Sequence, residues 1–123
     1  MTNLIRLGLV GASNQGLEHL KGAQLTKDVC IIAACDTSSE VLAKCQSQFP
    51  RLELYEDLDD FLQKSQLDGI ILAIPHHVYT TYWDRILAKR LPILKEKPLG
   101  RTFREAQDFI QSAATKCVPV VTA

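Results

Sequence analysis

The chain has 123 residues, 46% of them hydrophobic, and its 14 lysines and arginines balance 14 aspartates and glutamates. That length suits one domain with a core of its own, and the neutral balance removes the electrostatic drive toward nucleic-acid backbones or anionic lipid. No apolar run nears the roughly 18–20 residues that cross a bilayer, and the opening Met-Thr-Asn-Leu-Ile-Arg-Leu has no pattern of a secretory leader.

The first strand is expected over Ile5–Val10, and a glycine turn, Gly11-Ala-Ser-Asn-Gln-Gly16, follows it. A helix then runs over Gly16–Leu25, its N-terminus near Asn14, with Leu17 and Leu20 on one face. A second strand, Val29–Cys35, precedes a helix over Ser38–Phe49 that carries Val41, Leu42, Cys45 and Phe49. Thr37 and Glu40 have the spacing of a capping box at its start. Arg51–Tyr55 is a weaker strand, expected at an edge. Asp57 caps a helix over Leu58–Ser65. Ile70–Ile74 is the fourth strand, followed by a helix over Val78–Lys89 in which Tyr79, Tyr82 and Trp83 form a core-facing stripe. A short strand around Pro92–Leu94 leads to Glu96-Lys97-Pro98. The last helix, Phe103–Thr115, has a capping box in Thr102 and Glu105, and Val118–Val121 closes the chain as a sixth strand.

Near-continuous apolar strands suit a parallel sheet covered on both faces, and β-α alternation implies right-handed crossovers. The expected fold class is α/β: one domain, residues 1–123, with a doubly wound parallel sheet of six strands in the order 3-2-1-4-5-6. The four cysteines, Cys30, Cys35, Cys45 and Cys117, show no C-x-x-C pair and no metal-ligand spacing. They read as reduced thiols of a cytoplasmic protein, and no metal site is expected.

In such a sheet, ligands bind at the carboxyl ends of the strands, where the strand order reverses. Four features fall on that edge. The glycine turn approximates the dinucleotide fingerprint G-x-G-x-x-G, with Gly11 and Gly16 in the outer positions and Ser13 in place of the middle glycine. A helix beginning near Asn14 and Gln15 aims free N–H groups at a phosphate; the plainer reading is a tight turn without ligand. Asp36, with Thr37 beside it, ends the second strand 20 residues beyond Gly16. A carboxylate there accepts ribose hydroxyls and repels a 2′-phosphate, which favours NAD and leaves NADP open if a nearby cation reverses the preference. Ile74-Pro75-His76-His77 leaves the fourth strand, so that Ile74, Pro75 and His76 are candidate cofactor contacts, and either histidine could touch the cofactor or shuttle a proton. Lys97 is a candidate proton carrier, with Glu96 placed to hold its ammonium and Pro98 to stiffen the backbone. His19 reads as a packing residue.

With these residues in place, the chain resembles the glucose–fructose oxidoreductase, inositol dehydrogenase and MocA-like family (Gfo/Idh/MocA) along essentially its whole length, as that family's N-terminal Rossmann domain. The resemblance rests on Ile5-Arg-Leu-Gly-Leu-Val-Gly-Ala, Gly16-Leu-Glu-His-Leu, Ala34-Cys-Asp, Asp68-Gly-Ile-Ile-Leu-Ala-Ile-Pro and Lys95-Glu-Lys-Pro-Leu-Gly. It implies NAD(P) binding and hydride transfer at a secondary alcohol of a sugar or cyclitol. It also implies that Lys97 helps to position and deprotonate that alcohol, and that the peptide before Pro98 is cis. Ser13 departs from the family pattern, as does Tyr79, which stands where the family has a histidine. The resemblance also implies an α+β domain beyond Ala123 that completes the substrate pocket. Without that domain, catalysis is expected to be incomplete, and the face it would cover is expected to join a homo-oligomer or a hetero-complex. Two other readings stay open on the sequence: a non-catalytic module that senses the dinucleotide or binds a partner, and a domain for CoA or another nucleotide.

Overall fold

A computed structural model describes residues 4–122. Eleven elements alternate along it: β1 (Ile5–Val10), α1 (Asn14–Gln24), β2 (Val29–Cys35), α2 (Ser39–Gln48), β3 (Glu53–Tyr55), α3 (Leu58–Lys64), β4 (Gly69–Leu72), α4 (His76–Ala88), β5 (Ile93–Lys95), α5 (Phe103–Thr115) and β6 (Val120–Thr122). The six strands form one sheet in the order β3-β2-β1-β4-β5-β6, and every pairing is parallel. The doubly wound order expected from the alternation is the order observed.

Side chains on a strand alternate between faces, and the core divides accordingly. Leu9, Ala34 and Ile71 point to the side covered by Leu20 of α1 and Cys45 of α2. Val10, Cys35, Ile70, Leu72 and Ile93 point to the opposite side, against Leu58 and Phe61 of α3, Tyr79, Trp83 and Leu87 of α4, and Phe109 of α5. Two helices therefore cover one face and three the other. Aromatic packing seals the larger side: Trp83 meets Phe109 edge-on at 5.0 Å between centroids and donates its indole N–H to Ser112 Oγ at 2.7 Å. The Trp83 ring thus buries its apolar body and still satisfies its polar edge.

Local sequence chemistry sets most element ends. Asp57 accepts from the Asp60 amide and Thr102 from the Glu105 amide, each capping the helix that follows. At α2 the cap is Ser38, which accepts from the Val41 amide, rather than Thr37. The Asp36 carboxylate accepts from the Ser38 amide and places Ser38 at the helix mouth, one residue later than the capping-box spacing suggests. Helix α4 begins at His76, two residues before the expected start, because Pro75 stands at the N-cap with its φ of −61° already suited to entry. Correspondingly β4 ends at Leu72 and not at Ile74.

Phe61 is fully buried and meets Tyr55 edge-on at 6.0 Å. Replacing it with alanine opens a void between α3 and the sheet. Phe61→Ala is expected to lower unfolding stability by about 3–5 kcal/mol, measured as a shift of the urea midpoint at unchanged slope.

Candidate functional site

Strands β1 and β4 lie side by side, and the chain leaves them toward opposite faces. The ladder continues beyond the strand ends: Gly11 N–H donates to Cys35 O at 2.8 Å, Ala73 N–H to Val10 O at 2.8 Å, and Glu96 N–H to Leu72 O at 3.0 Å. These bonds hold the turn after β1, the turn after β4 and the residue after β5 along one edge. Between the first two turns opens a crevice of about 320 Å³, lined on one side by Gly11, Ser13, Asp36, Thr37 and Val41 and on the other by Ile74, Pro75, His77, Val78 and Tyr82.

The outer glycines of the turn do what the fingerprint requires of them. Gly11 has φ of +92°, a left-handed conformation, and any Cβ there would strike the Ala73 carbonyl. At Gly16 a Cβ would strike the Gly11 carbonyl, so its absence lets the first turn of α1 pack onto the glycine turn. Ser13 is the N-cap of α1, with φ of −80° that any residue adopts, and its hydroxyl caps nothing. Helices α2, α3 and α5 are capped by side chains, whereas α1 and α4, which start at the crevice, are not. Ser13, Asn14 and Gln15 are exposed. The open N–H groups of α1 and the two close-approach glycines fit a dinucleotide pyrophosphate, whose charge suits the positive end of a helix.

Asp36 has a structural duty that the sequence did not reveal. Its Oδ2 accepts from the Ala12 amide and its Oδ1 from the Ser38 amide, both at 2.9 Å. The carboxylate thus ties the glycine turn to the start of α2. A carboxylate has about four acceptor positions, so two remain for ribose hydroxyls. Arg85, whose guanidinium lies 5.2 Å from the Tyr82 ring, is engaged by Asp59 Oδ1 at 3.2 Å.

The two histidines, either of which the sequence offers as a contact, part company. His77 lines the crevice, while His76 turns toward Tyr79, with ring centroids 5.8 Å apart. The Nδ1 of His76 is buried and has no hydrogen-bond partner. His19, read from sequence as packing, joins Glu96: Nε2 and Oε1 lie 2.5 Å apart, with both side chains largely shielded. Glu96 therefore holds α1 and not the Lys97 ammonium. Residues 77 positions apart meet here, so the Glu96-Lys97-Pro98 segment rests against the helix that leaves the glycine turn. Lys97 is exposed next to this contact and outside the crevice lining. The Lys97–Pro98 peptide is cis.

The family model for Gfo/Idh/MocA, an oxidoreductase family with an NAD-binding Rossmann fold, matches residues 5–123. The chain belongs to this family. It is an NAD-binding oxidoreductase domain related to the inositol dehydrogenases, and its cofactor is NAD. The rhizopine catabolism protein MocA of Rhizobium meliloti is 33% identical over 102 residues, which are 83% of this chain and 32% of the relative. Inositol 2-dehydrogenase of Arthrobacter sp. (strain FB24) is 25% identical over 115 residues, 91% of this chain and 34% of the relative. The chain thus spans about a third of the length of these curated relatives. Among solved structures, an oxidoreductase from Agrobacterium radiobacter in complex with NAD+, L-tartaric acid and magnesium superposes with a TM-score of 0.90 at 17% identity, over 98% of this chain and 35% of that one. The Bordetella pertussis WlbA dehydrogenase, solved with NADH and UDP-GlcNAcA, gives 0.88 at 20% identity over 98% and 37%. At those identities the likeness establishes the fold.

Gly11→Ala forces a Cβ into the Ala73 carbonyl and strains a left-handed backbone, at a cost of order 1–3 kcal/mol or more. It is expected to lower the melting temperature and to weaken NAD binding at least tenfold by calorimetry, whereas Ser13→Ala leaves the melting temperature within about a degree.

Proposed function

We propose that this domain carries the cofactor half of a dehydrogenase that oxidises a secondary alcohol of a polyol, sugar or cyclitol, with Lys97 as its reactive side chain. The observation that carries the reading is the His19–Glu96 contact, which sets the Glu96-Lys97-Pro98 segment beside the first helix of the nucleotide turn. On this reading the pyrophosphate lies over Gly11, Ser13, Asn14, Gln15 and Gly16. Asp36 and Thr37 take the adenosine ribose. Ile74, Pro75 and His76 flank the nicotinamide with Glu96 and Lys97.

Bound NAD would supply the acceptor for the hydride, the hydrogen and electron pair of the carbinol carbon. The remaining hydroxyl proton needs a base. Lys97 Nζ, in its neutral form, accepts that proton and returns it in the reverse direction. The His19–Glu96 pair fixes the backbone from which Lys97 projects. On this reading a lysine on the same sheet edge as the nucleotide turn brings base and hydride acceptor to one carbon–oxygen bond, and such positioning supplies much of an enzyme's advantage. Kinship with inositol dehydrogenases supports a polyol, since a ring bearing several hydroxyls offers the carbinol and its hydrogen-bonding neighbours together.

The test is a calorimetric titration of NAD, followed by a screen of cyclitols and sugars at the absorbance of NADH with the chain joined to the remaining two thirds of an inositol dehydrogenase relative. Binding is expected together with oxidation of at least one polyol. Lys97→Ala is expected to keep the NAD dissociation constant within about twofold and to cut turnover by about 10²–10⁴. NAD binding with no turnover on any polyol, or turnover that survives Lys97→Ala, would overturn this assignment.

A further inference from the structure

Lys95 is the one charged side chain buried to zero exposure among the described residues. Strand alternation puts Ile93 and Lys95 on the α4/α5 side of the sheet and Glu96 on the α1 side. The Lys95 ammonium sits 3.7 Å from the Tyr79 ring centroid and 4.8 Å from that of Phe109. It donates to the Leu99 carbonyl at 2.5 Å and points at the Pro98 carbonyl at 3.5 Å. No carboxylate pairs with it directly among the described residues.

Burying a charge this way is costly, and a leucine or methionine would fill the same space between the rings at less expense. An apolar residue cannot reach into the loop and hold two backbone carbonyls. Those carbonyls belong to the two residues that directly follow Lys97. The loop is then held at three places: Glu96 by His19, Leu99 by Lys95, and Arg101 by Glu105, whose carboxylate accepts from the Arg101 amide at 2.9 Å and its guanidinium at 3.1 Å. Lys97 lies exposed between the first two.

We infer that Lys95 is a positioning residue for Lys97: its buried ammonium clamps the Pro98–Leu99 backbone and so sets the direction in which Lys97 leaves the sheet edge. This rests on reading Lys97 as the reactive lysine of the proposed function.

The clamp is sensitive to pH. Burial lowers the Lys95 amine from its ordinary 10.5 to about 8, opposed in part by the Glu105 carboxylate. The Tyr79 ring of α4 lies over it and Glu105 of α5 acts on it through space, while His76 packs on that ring and Arg101 pairs with Glu105. Its strand neighbours Leu72 and Thr122 do not titrate. Burial, with the Glu96 charge adding to it, pushes the Tyr79 phenol up to about 12, so the phenol stays neutral across the window. As pH rises through about 8 the folded chain sheds the Lys95 proton, and the neutral amine keeps only a weaker hydrogen bond to Leu99. Because the folded pKa lies below the unfolded one, the contribution of this lysine to global stability moves the other way and increases between about pH 8 and 10.5. Local order in the loop and global stability therefore diverge, which packing by the aliphatic stem alone does not produce.

The experiment compares the parent chain with Lys95→Met, which keeps the stem and removes the charge. Amide hydrogen exchange at Leu99 and Gly100 is read alongside acetylation of Lys97 relative to exposed Lys64, both at pH 7. The variant is expected to exchange about tenfold faster at those amides, as for loss of a hydrogen bond from a charged donor, and to change the Lys97 acetylation ratio at least threefold. Between pH 7 and 9 the parent's excess protection, corrected for intrinsic exchange, should fall toward the variant's flat profile, while its melting temperature gains on the variant's up to pH 10.5. Equal protection in the two chains at pH 7, or a loosened loop with an unchanged Lys97 ratio, overturns the inference. If the variant does not fold, the parent's titration decides, and constant loop protection from pH 7 to 9 overturns it. A parallel NAD titration separates the two proposals: absent binding defeats the proposed function and leaves the clamp standing, whereas intact binding with no clamp signal defeats only the clamp.

Discussion

Side-by-side pairing of β1 with β4 governs the molecule. Leu7 to Val10 register against Gly69 to Leu72, and the chain leaves those strands for helices on opposite faces of the sheet. Two neighbouring strand ends that diverge must leave a gap between their turns. The gap survives only because the turn after β1 lies almost against the backbone after β4. Gly11, with its positive φ and no Cβ, permits that approach. A bulkier residue would push the turns apart or rotate the first amides of α1 away from the opening.

The charge arrangement follows from the same geometry. At the crevice the helices α1 and α4 begin without side-chain caps, and the N–H groups that elsewhere meet Ser38, Asp57 or Thr102 stay free for an anion. Asp36 serves as the hinge pin of this edge, since its two oxygens bind the glycine turn and the approach to α2 together. On the proposed function the same carboxylate also takes ribose hydroxyls, which would couple nucleotide recognition to the order of the turn. Its charge opposes a 2′-phosphate for the same reason that it attracts hydroxyl donors, and Arg85, held by Asp59, does not neutralise it.

Strand β5 and the residue after it send two consecutive polar side chains to opposite sides of the sheet. Lys95 enters the aromatic core under α4 and α5, and Glu96 crosses to His19 on α1. A loop held from both faces has little freedom, and Lys97 projects from its middle. Polar groups buried at such a point cost stability relative to an apolar core. What they add is a fixed backbone direction, which hydrophobic packing specifies poorly because it carries no directionality.

The fold was legible in the sequence to a large degree. Parallel strands buried on both faces leave continuous apolar runs, amphipathic helices leave a 3.6-residue period, and caps such as Asp57 and Thr102 act within one turn of the chain; all of these are local signals. The glycine turn, the spacing to Asp36 and the Glu96-Lys97-Pro98 segment were legible for the same reason. The capping-box spacing of Thr37 and Glu40 placed the start of α2 one residue early, because the Asp36 carboxylate takes the Ser38 amide and leaves Ser38 as the cap. The meeting of His19 with Glu96, the turning of His76 toward Tyr79 while His77 lines the crevice, and the burial of Lys95 between two rings left no local trace. The His19 and Lys95 contacts cross sequence separations set by which strand lies beside which, and the turning of His76 depends on which face of α4 packs on the sheet. A lysine at the end of a short strand carries the same letters whether its amine meets water or a backbone carbonyl; only the packing of α4 and α5 over β5 removes the water.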